Sequence, residues 1–175
     1  MNPGDRYWHS PVEAPLIVAD ASGVNWDYDT DVVVIGFGAA GASAAIEARE
    51  RRLRVIAIDR AEGGGATELS GGVVYAGGGT RVQMDVGEDD SPQAMFDYLK
   101  LETQRVVSDE TLMKFCEDSA DNIDWLMRHG VRFSGPVWKK KTSYPNVGYF
   151  LYHSDNSLLP WYRAVSKPAA RGPVC

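Results

Sequence analysis

The sequence is poor in the residues that bind metals or form covalent cross-links. Among its 175 residues there are two cysteines and three histidines. Cys116 and Cys175 lack the C-x-x-C spacing, and His9, His129 and His153 are scattered, so we predict neither a disulfide scaffold nor a metal site. Two isolated cysteines fit a reducing compartment, and we expect a cytoplasmic protein.

The sequence also lacks an excess of positive charge and a long hydrophobic run. It has 18 Lys and Arg residues against 24 Asp and Glu residues, a net charge of −6, which argues against nucleic acid as a partner. The most apolar stretch, residues 32–46, contains three glycines and is shorter than the roughly 20 residues of a membrane helix. The N-terminus lacks the pattern of a signal peptide. We therefore predict a soluble protein without a membrane span.

Glycine is abundant and clustered. Three of the 18 glycines lie within residues 36–41, and eight lie within residues 63–79. Such clusters mark places where the backbone turns sharply or approaches another group closely. Both segments are therefore candidates for contact with a ligand.

Residues 31–59 have the pattern of a βαβ unit. The β-branched run D-V-V-V-I at 31–35 is typical of a strand in a buried parallel sheet. Residues 37–52 are rich in the helix formers Ala, Glu and Arg. L-R-V-I-A-I at 53–58 then predicts a second strand. This order predicts an α/β protein with a parallel sheet.

The turn of this unit carries the fingerprint G-x-G-x-x-G. Gly36 allows the tight turn, Gly38 lets a pyrophosphate approach the backbone, and Gly41 lets the helix pack on the strand. Asp59, 23 residues after Gly36, can accept hydrogen bonds from an adenosine ribose and would repel a 2′-phosphate. The pattern predicts a dinucleotide site, and a glycine-rich turn that binds nothing is the alternative.

A second glycine-rich stretch begins at residue 61, where an NAD domain would usually continue with another helix. Its backbone N–H groups can form an anion nest, with hydroxyl donors from Thr67 and Ser70. This stretch favours FAD over NAD, and a flexible loop is the alternative.

Beyond this stretch the pattern predicts further helices. Ser91 and Pro92 begin a helix that we expect to reach about Gln104. Ser108 begins another, with an apolar stripe that includes Leu112, Phe115, Cys116, Ile123, Leu126 and Met127. Short strands are predicted at 16–18, 80–83 and 131–133. We expect residues 1–28 to be a lead-in and residues 29–175 to be one domain.

Two sequence segments carry a resemblance to a known family. D-V-V-V-I-G-F-G-A-A-G-A-S-A-A-I-E-A and G-G-G-A-T-E-L-S-G-G-V-V-Y-A-G-G-G resemble the FAD-binding family of fumarate reductase and succinate dehydrogenase flavoproteins. The similarity is strongest to its 3-ketosteroid dehydrogenase-like branch and runs over residues 26–172. The resemblance implies a Rossmann-like FAD-binding domain with a parallel sheet, incomplete relative to the longer family members, with added helices.

The resemblance also implies which residues contact FAD. Asp59 would bind the adenosine ribose, with Arg60 beside it, although the family usually has Glu at this position. The residues at the pyrophosphate would be Gly36, Gly38, Ala39, Ala40 and Gly41. Those along the pyrophosphate and the flavin would be Gly65, Ala66, Thr67, Ser70, Gly71 and Gly72.

The function implied is that of an FAD-dependent oxidoreductase acting on a C–C bond of a steroid-like or other apolar ketone. Family members carry a substrate domain that this chain lacks, so no catalytic residue is assigned and the chain alone is expected to be weak or inactive. Tyr144, Tyr149 and Tyr152 are possible catalytic phenols, although ordinary packing roles are favoured. The alternatives are a dinucleotide-binding module without catalysis, a poorly stable truncated product, and a chain completed by a second chain.

Overall fold

The computed structural model describes residues 14–133, 135–142 and 147–175. The chain divides into two compact units, Met1–Gly63 and Gly64–Cys175. In the described residues of the first unit, a 3-10 turn, Ala21–Gly23, precedes the first strand. The strand predicted at residues 16–18 is wrong. Leu16 and Ile17 are 89% and 88% exposed, so these side chains have no core to pack against.

The first unit contains the predicted βαβ arrangement. Its elements are strand β1 (Val32–Ile35), helix α1 (Ala39–Glu50) and strand β2 (Val55–Ile58). β1 and β2 are parallel, in a register that pairs the first and last residues of the two strands. The small side chains of Ala45 and Ala48 are buried on α1, and Val34 is buried on β1. The prediction of a strand, a helix and a parallel strand is therefore confirmed.

The two strands are joined at their starting ends by Arg54 and Asp31. The main-chain N–H of Arg54 donates to Asp31 Oδ2 at 2.8 Å, and its guanidinium donates to Oδ1 at 3.0 Å. These hydrogen bonds from Arg54 hold the pKa of Asp31 below its ordinary value. The contact fixes the register at the end of the sheet opposite the fingerprint.

The second unit contains the remaining helices and strands. Its helices are α2 (Gly65–Glu68), α3 (Arg81–Asp85), α4 (Pro92–Glu102), α5 (Asp109–Arg128) and, after two strands, α6 (Pro160–Arg163). Its strands are β3 (Val137–Lys141), β4 (Leu151–His153) and β5 (Gly172–Pro173). β4 pairs in parallel with β3 and antiparallel with β5. An isolated bridge joins Val73 to Val174.

The two longest helices of the second unit, α4 and α5, begin where the sequence predicts. Ser91 Oγ accepts from Ala94 N–H at 3.1 Å at the start of α4. Ser108 Oγ accepts from Thr111 N–H at 3.2 Å at the start of α5. Each serine satisfies a main-chain donor that the first turn of a helix leaves without a helical partner.

The two short strands predicted in the second unit are also wrong. Residues 80–83 belong to a helix start, because the Thr80 hydroxyl accepts from Gln83 N–H while the Gln83 side chain accepts from Thr80 N–H. This reciprocal capping box outweighs the weak strand propensity of so short a segment. Residues 131–133 form no strand either.

One core cluster of the second unit lies between α4 and α5. Met95 and Phe96 of α4 pack with Leu112 and Cys116 of α5, and Met95 and Cys116 are fully buried. Burying one side chain such as Met95 contributes about 1.5–3 kcal/mol. The predicted stripe on α5 is only partly buried, since Phe115 remains 43% exposed. Among the described residues, no helix is both long and apolar enough to cross a bilayer.

Candidate dinucleotide-binding site

The fingerprint begins with a sharp turn at Gly36. Its φ angle is +90°, a conformation that side chains disfavour. Its main-chain N–H donates to Ile58 O at 2.7 Å, so the turn is tied to the end of β2. The chain can therefore leave β1 and enter α1 at once, beside the carboxyl ends of both strands.

Gly41 has no space for a side chain. A Cβ atom at this position would lie 1.9 Å from Gly36 O and 3.2 Å from Val34 Cγ1. Because α1 approaches the strand and the turn this closely, only glycine fits here. This contact is the third glycine role that the fingerprint requires.

The N-terminus of α1 offers donors to an anion. Its N-cap is Gly38, which has no side chain to cap the first N–H groups, and the first turn contains no acidic residue. Ala39 and Ala40 are exposed. The uncapped N–H groups and the positive end of the helix dipole favour a phosphate at this place.

Asp59 follows β2 and reaches back to the fingerprint. Its Oδ2 accepts from Phe37 N–H at 2.6 Å, and its Oδ1 accepts from Ala61 N–H at 2.9 Å. These two hydrogen bonds hold the pKa of Asp59 below its ordinary value, with a smaller contribution from the charge of Arg60. Each carboxylate oxygen keeps a second lone pair, with which it can accept a ribose hydroxyl.

The residues predicted along the flavin form one continuous, mostly exposed segment of the second unit. Gly65, Ala66 and Thr67 lie in the single turn of α2, rather than in an irregular loop. Ser70 Oγ accepts from Gly72 N–H at 3.3 Å, which leaves its own hydroxyl proton free to donate. Gly71 has no heavy atom within 4 Å of where a Cβ would lie, so open space surrounds it.

A further run of glycines at residues 77–79 lies beyond the predicted flavin segment and does not form an anion nest. Its three N–H groups donate in turn to Ser119 Oγ at 3.0 Å, Asp90 Oδ2 at 2.9 Å and Gln83 Oε1 at 3.1 Å. Because protein atoms accept all three, this run serves the packing of the second unit.

The tyrosines considered as catalytic phenols have packing contacts. Tyr152 is buried and donates its hydroxyl proton to Tyr149 O. The ring of Tyr149 lies edge-on to Trp138, with 4.9 Å between ring centroids. Tyr144 lies outside the described residues. In the described part of the chain, no group of three or more His, Cys, Asp or Glu residues could hold a metal ion.

Two features of these units escape sequence reasoning. Phe37 contacts Asp59 through its main-chain N–H, a donor that every residue except proline has, so the residue type does not predict this contact. The buried pair of Arg171 and Asp90 joins residues 81 positions apart. Nothing local to either residue indicates the other.

The geometry of the first unit fits a dinucleotide, and comparisons with known proteins identify which one. Residues 31–166 match the family described as FAD binding domain. The chain is 46% identical over 166 residues to a 3-oxo-5-alpha-steroid 4-dehydrogenase of Comamonas testosteroni, covering 93% of this chain and 31% of that protein. It is 37% identical over 107 residues to a fumarate reductase (cytochrome) of Shewanella frigidimarina, covering 59% of this chain and 18% of that protein.

A solved structure shows the same similarity. The chain resembles the crystal structure of a 3-ketosteroid-Δ4-(5α)-dehydrogenase from Rhodococcus jostii RHA1 in complex with 4-androstene-3,17-dione, with a TM-score of 0.82 and 36% identity. The match covers 89% of this chain and 33% of that one. The chain thus spans 31% to 33% of the length of these two relatives. It belongs to the FAD-binding domain family of flavoproteins, and its cofactor is FAD.

Proposed function

We propose that this chain is the cofactor-binding portion of an FAD-dependent oxidoreductase, with the first unit holding the adenosine diphosphate part of FAD. The observation that carries the proposal is the joint placement of the uncapped α1 N-terminus and the Asp59 carboxylate, which the 2.6 Å bond to Phe37 N–H holds beside the same loop. One site thus offers donors for phosphate and acceptors for ribose.

Each group has a defined part in binding. Gly36, Gly38, Ala39, Ala40 and Gly41 bring main-chain N–H groups to the pyrophosphate. Asp59 is ionised at neutral pH, as an ordinary aspartate is, and its lowered pKa favours the charged form further, so it can accept hydrogen bonds from the ribose hydroxyls. Arg60 is exposed beside it and adds positive charge near the phosphates.

For the second unit we propose that Gly65, Ala66, Thr67, Ser70, Gly71 and Gly72 lie along the pyrophosphate and the flavin. The exposure of this segment and the free proton of the Ser70 hydroxyl support that role. FAD, when bound, supplies hydride transfer to or from a substrate. The chain's own residues then bind and orient it.

We also propose that residues 1–28 are a lead-in and that residues 29–175 form the N-terminal portion of the FAD-binding domain.

We further propose a small apolar ketone, steroid-like, as the substrate of the whole enzyme. The support comes from relatives whose names describe steroid dehydrogenases, one of them crystallised with 4-androstene-3,17-dione. We assign no catalytic group among the described residues. We therefore expect the 175-residue chain alone to turn over such ketones weakly or not at all, unless a second chain supplies the missing groups.

A binding module without catalysis is the second candidate. It is favoured by the buried Tyr152 hydroxyl, which donates to the main chain rather than facing solvent. Turnover of a ketosteroid by the purified chain would exclude this candidate.

The test of the proposed function is the visible absorbance spectrum of the purified chain, before and after addition of FAD and removal of excess. Flavin absorbance equal to about one FAD per chain is the expected result for a single dinucleotide site. A colourless protein that retains no added FAD would overturn the proposal. Gly41→Ala is the matched loss-of-site variant, and Gly23→Ala is its control, because a Cβ at Gly23 meets no atom within 4 Å.

A further inference from the structure

Residues 65–72, which we propose lie along the flavin, are called here the flavin-side segment. The backbone that follows this segment is hydrogen-bonded to residues 171–175. Ala76 N–H donates to Arg171 O at 2.9 Å, and Cys175 N–H donates to Gly72 O at 3.1 Å. These bonds make residues 72–76 the antiparallel partner of residues 171–175. The conformation of Gly72, the last residue that we assign to the flavin, therefore depends on a distant part of the sequence.

The pairing is anchored by a buried ion pair. Arg171 and Asp90 side chains are both 0% exposed. Arg171 Nε donates to Asp90 Oδ2 at 2.9 Å and Nη2 donates to Oδ1 at 2.8 Å, a bidentate arrangement that fixes the guanidinium plane. Nη2 also donates to Lys167 O at 3.2 Å. The main-chain carbonyl of Arg171 is thereby fixed as an acceptor for Ala76.

The same pair contacts the glycine-rich segment through side chains. Asp90 Oδ2 accepts from Gly78 N–H at 2.9 Å. Arg171 Nη1 lies 3.6 Å from Asp155 Oδ2, which accepts from the Tyr75 hydroxyl at 2.8 Å. Through Asp90 and Asp155, Arg171 is therefore linked to residues on both sides of Ala76.

Gly77 is packed directly against the pair. A Cβ atom on Gly77 would lie 2.6 Å from Asp90 Oδ2 and 2.8 Å from Arg171 Cδ. The backbone at Gly77 therefore packs against the pair with no room for a side chain between them.

We propose that Arg171 is a positioning residue for FAD, which through its pair with Asp90 holds residues 72–76 and so the flavin-side segment ending at Gly72 in one conformation. The proposal rests on the proposed function only for the assignment of residues 65–72 to the flavin. Buried ion pairs are retained in some proteins because they specify one arrangement rather than because they add stability. The bidentate geometry and the close approach of Gly77 give that role a structural basis here.

The experiment compares two variants of Arg171 with a control in the 175-residue chain. Arg171→Met removes the charge and the donors, and Arg171→Lys keeps the charge but loses the bidentate fork. Lys167→Ala is the control, because Lys167 pairs with Asp89 on the surface and joins the same two stretches of sequence. The dissociation constant for FAD and the hydrogen-exchange rates of the Val74 and Ala76 amides are measured at a temperature where circular dichroism shows each variant folded.

The expected result for Arg171→Met is exchange at Val74 and Ala76 that is at least about tenfold faster, and FAD binding at least about tenfold weaker. Arg171→Lys should fall between this variant and the parent, and Lys167→Ala should match the parent. The amide of Ala42, which belongs to the first unit and bonds Gly38 O, should exchange at the parent rate in every variant.

Other outcomes overturn the proposal. Parent-like exchange in both Arg171 variants would show that the pair does not hold the segment. Faster exchange with unchanged FAD affinity would show that the segment does not serve the flavin. If Arg171→Met does not fold, Arg171→Lys decides in the same way. If the parent itself binds no FAD, the proposed function fails and the role toward FAD fails with it, while the exchange rates still decide whether Arg171 holds the segment.

Discussion

The carboxylate of Asp59 accepts a hydrogen bond of 2.6 Å from the main-chain N–H of Phe37. This bond joins the end of β2 to the fingerprint loop and fixes the carboxylate beside it, where we propose that it binds a ribose. Asp59→Ala should therefore weaken FAD binding at least about tenfold, because it removes charged acceptors together with the loop anchor. Titration of flavin fluorescence measures the change.

Glu62→Ala is the control for that substitution, since it removes the same charge three residues further along an exposed loop. Equal losses in Asp59→Ala and Glu62→Ala would mean that net charge, rather than the position of Asp59, determines the affinity.

Gly41→Ala should destabilise the first unit and abolish its affinity for FAD. A Cβ placed 1.9 Å from Gly36 O forces α1 away from the turn, and overpacking of this kind costs about 1–3 kcal/mol. Urea unfolding and FAD titration measure the two effects. Gly23→Ala, where the added atom meets open space, should change neither, and a parent-like Gly41→Ala would refute the close packing of the turn.

Ser91→Ala should lower the free energy of unfolding by about 1 kcal/mol, the ordinary value for loss of an N-cap. The reason is the loss of the acceptor for Ala94 N–H at the start of α4. Ser91→Thr keeps a hydroxyl acceptor and should lose much less. Equal losses for the two variants, measured by urea unfolding, would show that the hydroxyl does not act as a cap.

Stability should fall in acid partly because of Asp90. Burial alone would raise the pKa of this carboxyl, but hydrogen bonds and charge from Arg171 outweigh burial and hold the pKa below its ordinary value of 3.8. A carboxyl with a lowered folded pKa stabilises the fold above its unfolded pKa, and that stability is lost as the pH falls through the folded pKa.

The measurement is the free energy of unfolding between pH 7 and pH 2, for the parent and for Asp90→Asn, because the loss falls below the ordinary pKa of 3.8. The variant should be less stable at pH 7 and should lose less on acidification, because it has no proton to gain at this position. An identical pH dependence for the two proteins would contradict the assignment.

The two cysteines should differ sharply in reactivity. Cys116 is fully buried, and burial raises the pKa of its thiol to about 11, whereas Cys175 is exposed. Since the thiolate is the reactive form, a thiol reagent at neutral pH should label one cysteine in the folded chain and both in denaturant. Cys175→Ser should leave the folded chain unlabelled, and rapid labelling of that variant would contradict the burial of Cys116.

The first unit follows closely from the sequence. β1, α1 and β2 form where the β-branched runs and the alanine-rich stretch predict them, and the positive φ of Gly36 and the crowding at Gly41 match the roles that the fingerprint assigns. These features arise from contacts within some 30 residues of chain, so residue type and spacing are sufficient to specify them. The serine caps of α4 and α5 were predictable for the same reason.

The predictions that fail lie where a contact outside the short segment decides its structure. Residues 80–83 are weakly β-prone alone, but the Gln83 side chain caps Thr80 and also donates to Ala170 O at 2.9 Å. The segment therefore begins a helix. A distant contact also decides the role of residues 77–79, for which the sequence made no specific prediction: their N–H groups donate to the side chains of Ser119, Asp90 and Gln83.

The sequence by itself determined the βαβ unit, the helix starts and the candidate residues for FAD, because each depends on the conformational preferences of neighbouring residues. Only the tertiary structure decided that the Phe37 N–H donates to Asp59 and that the buried side chain of Arg171 pairs with Asp90. Main-chain donors are the same in every residue except proline, and a buried ion pair between distant positions requires the whole second unit to exclude water around it. Such partners are specified by the folded chain and not by local sequence.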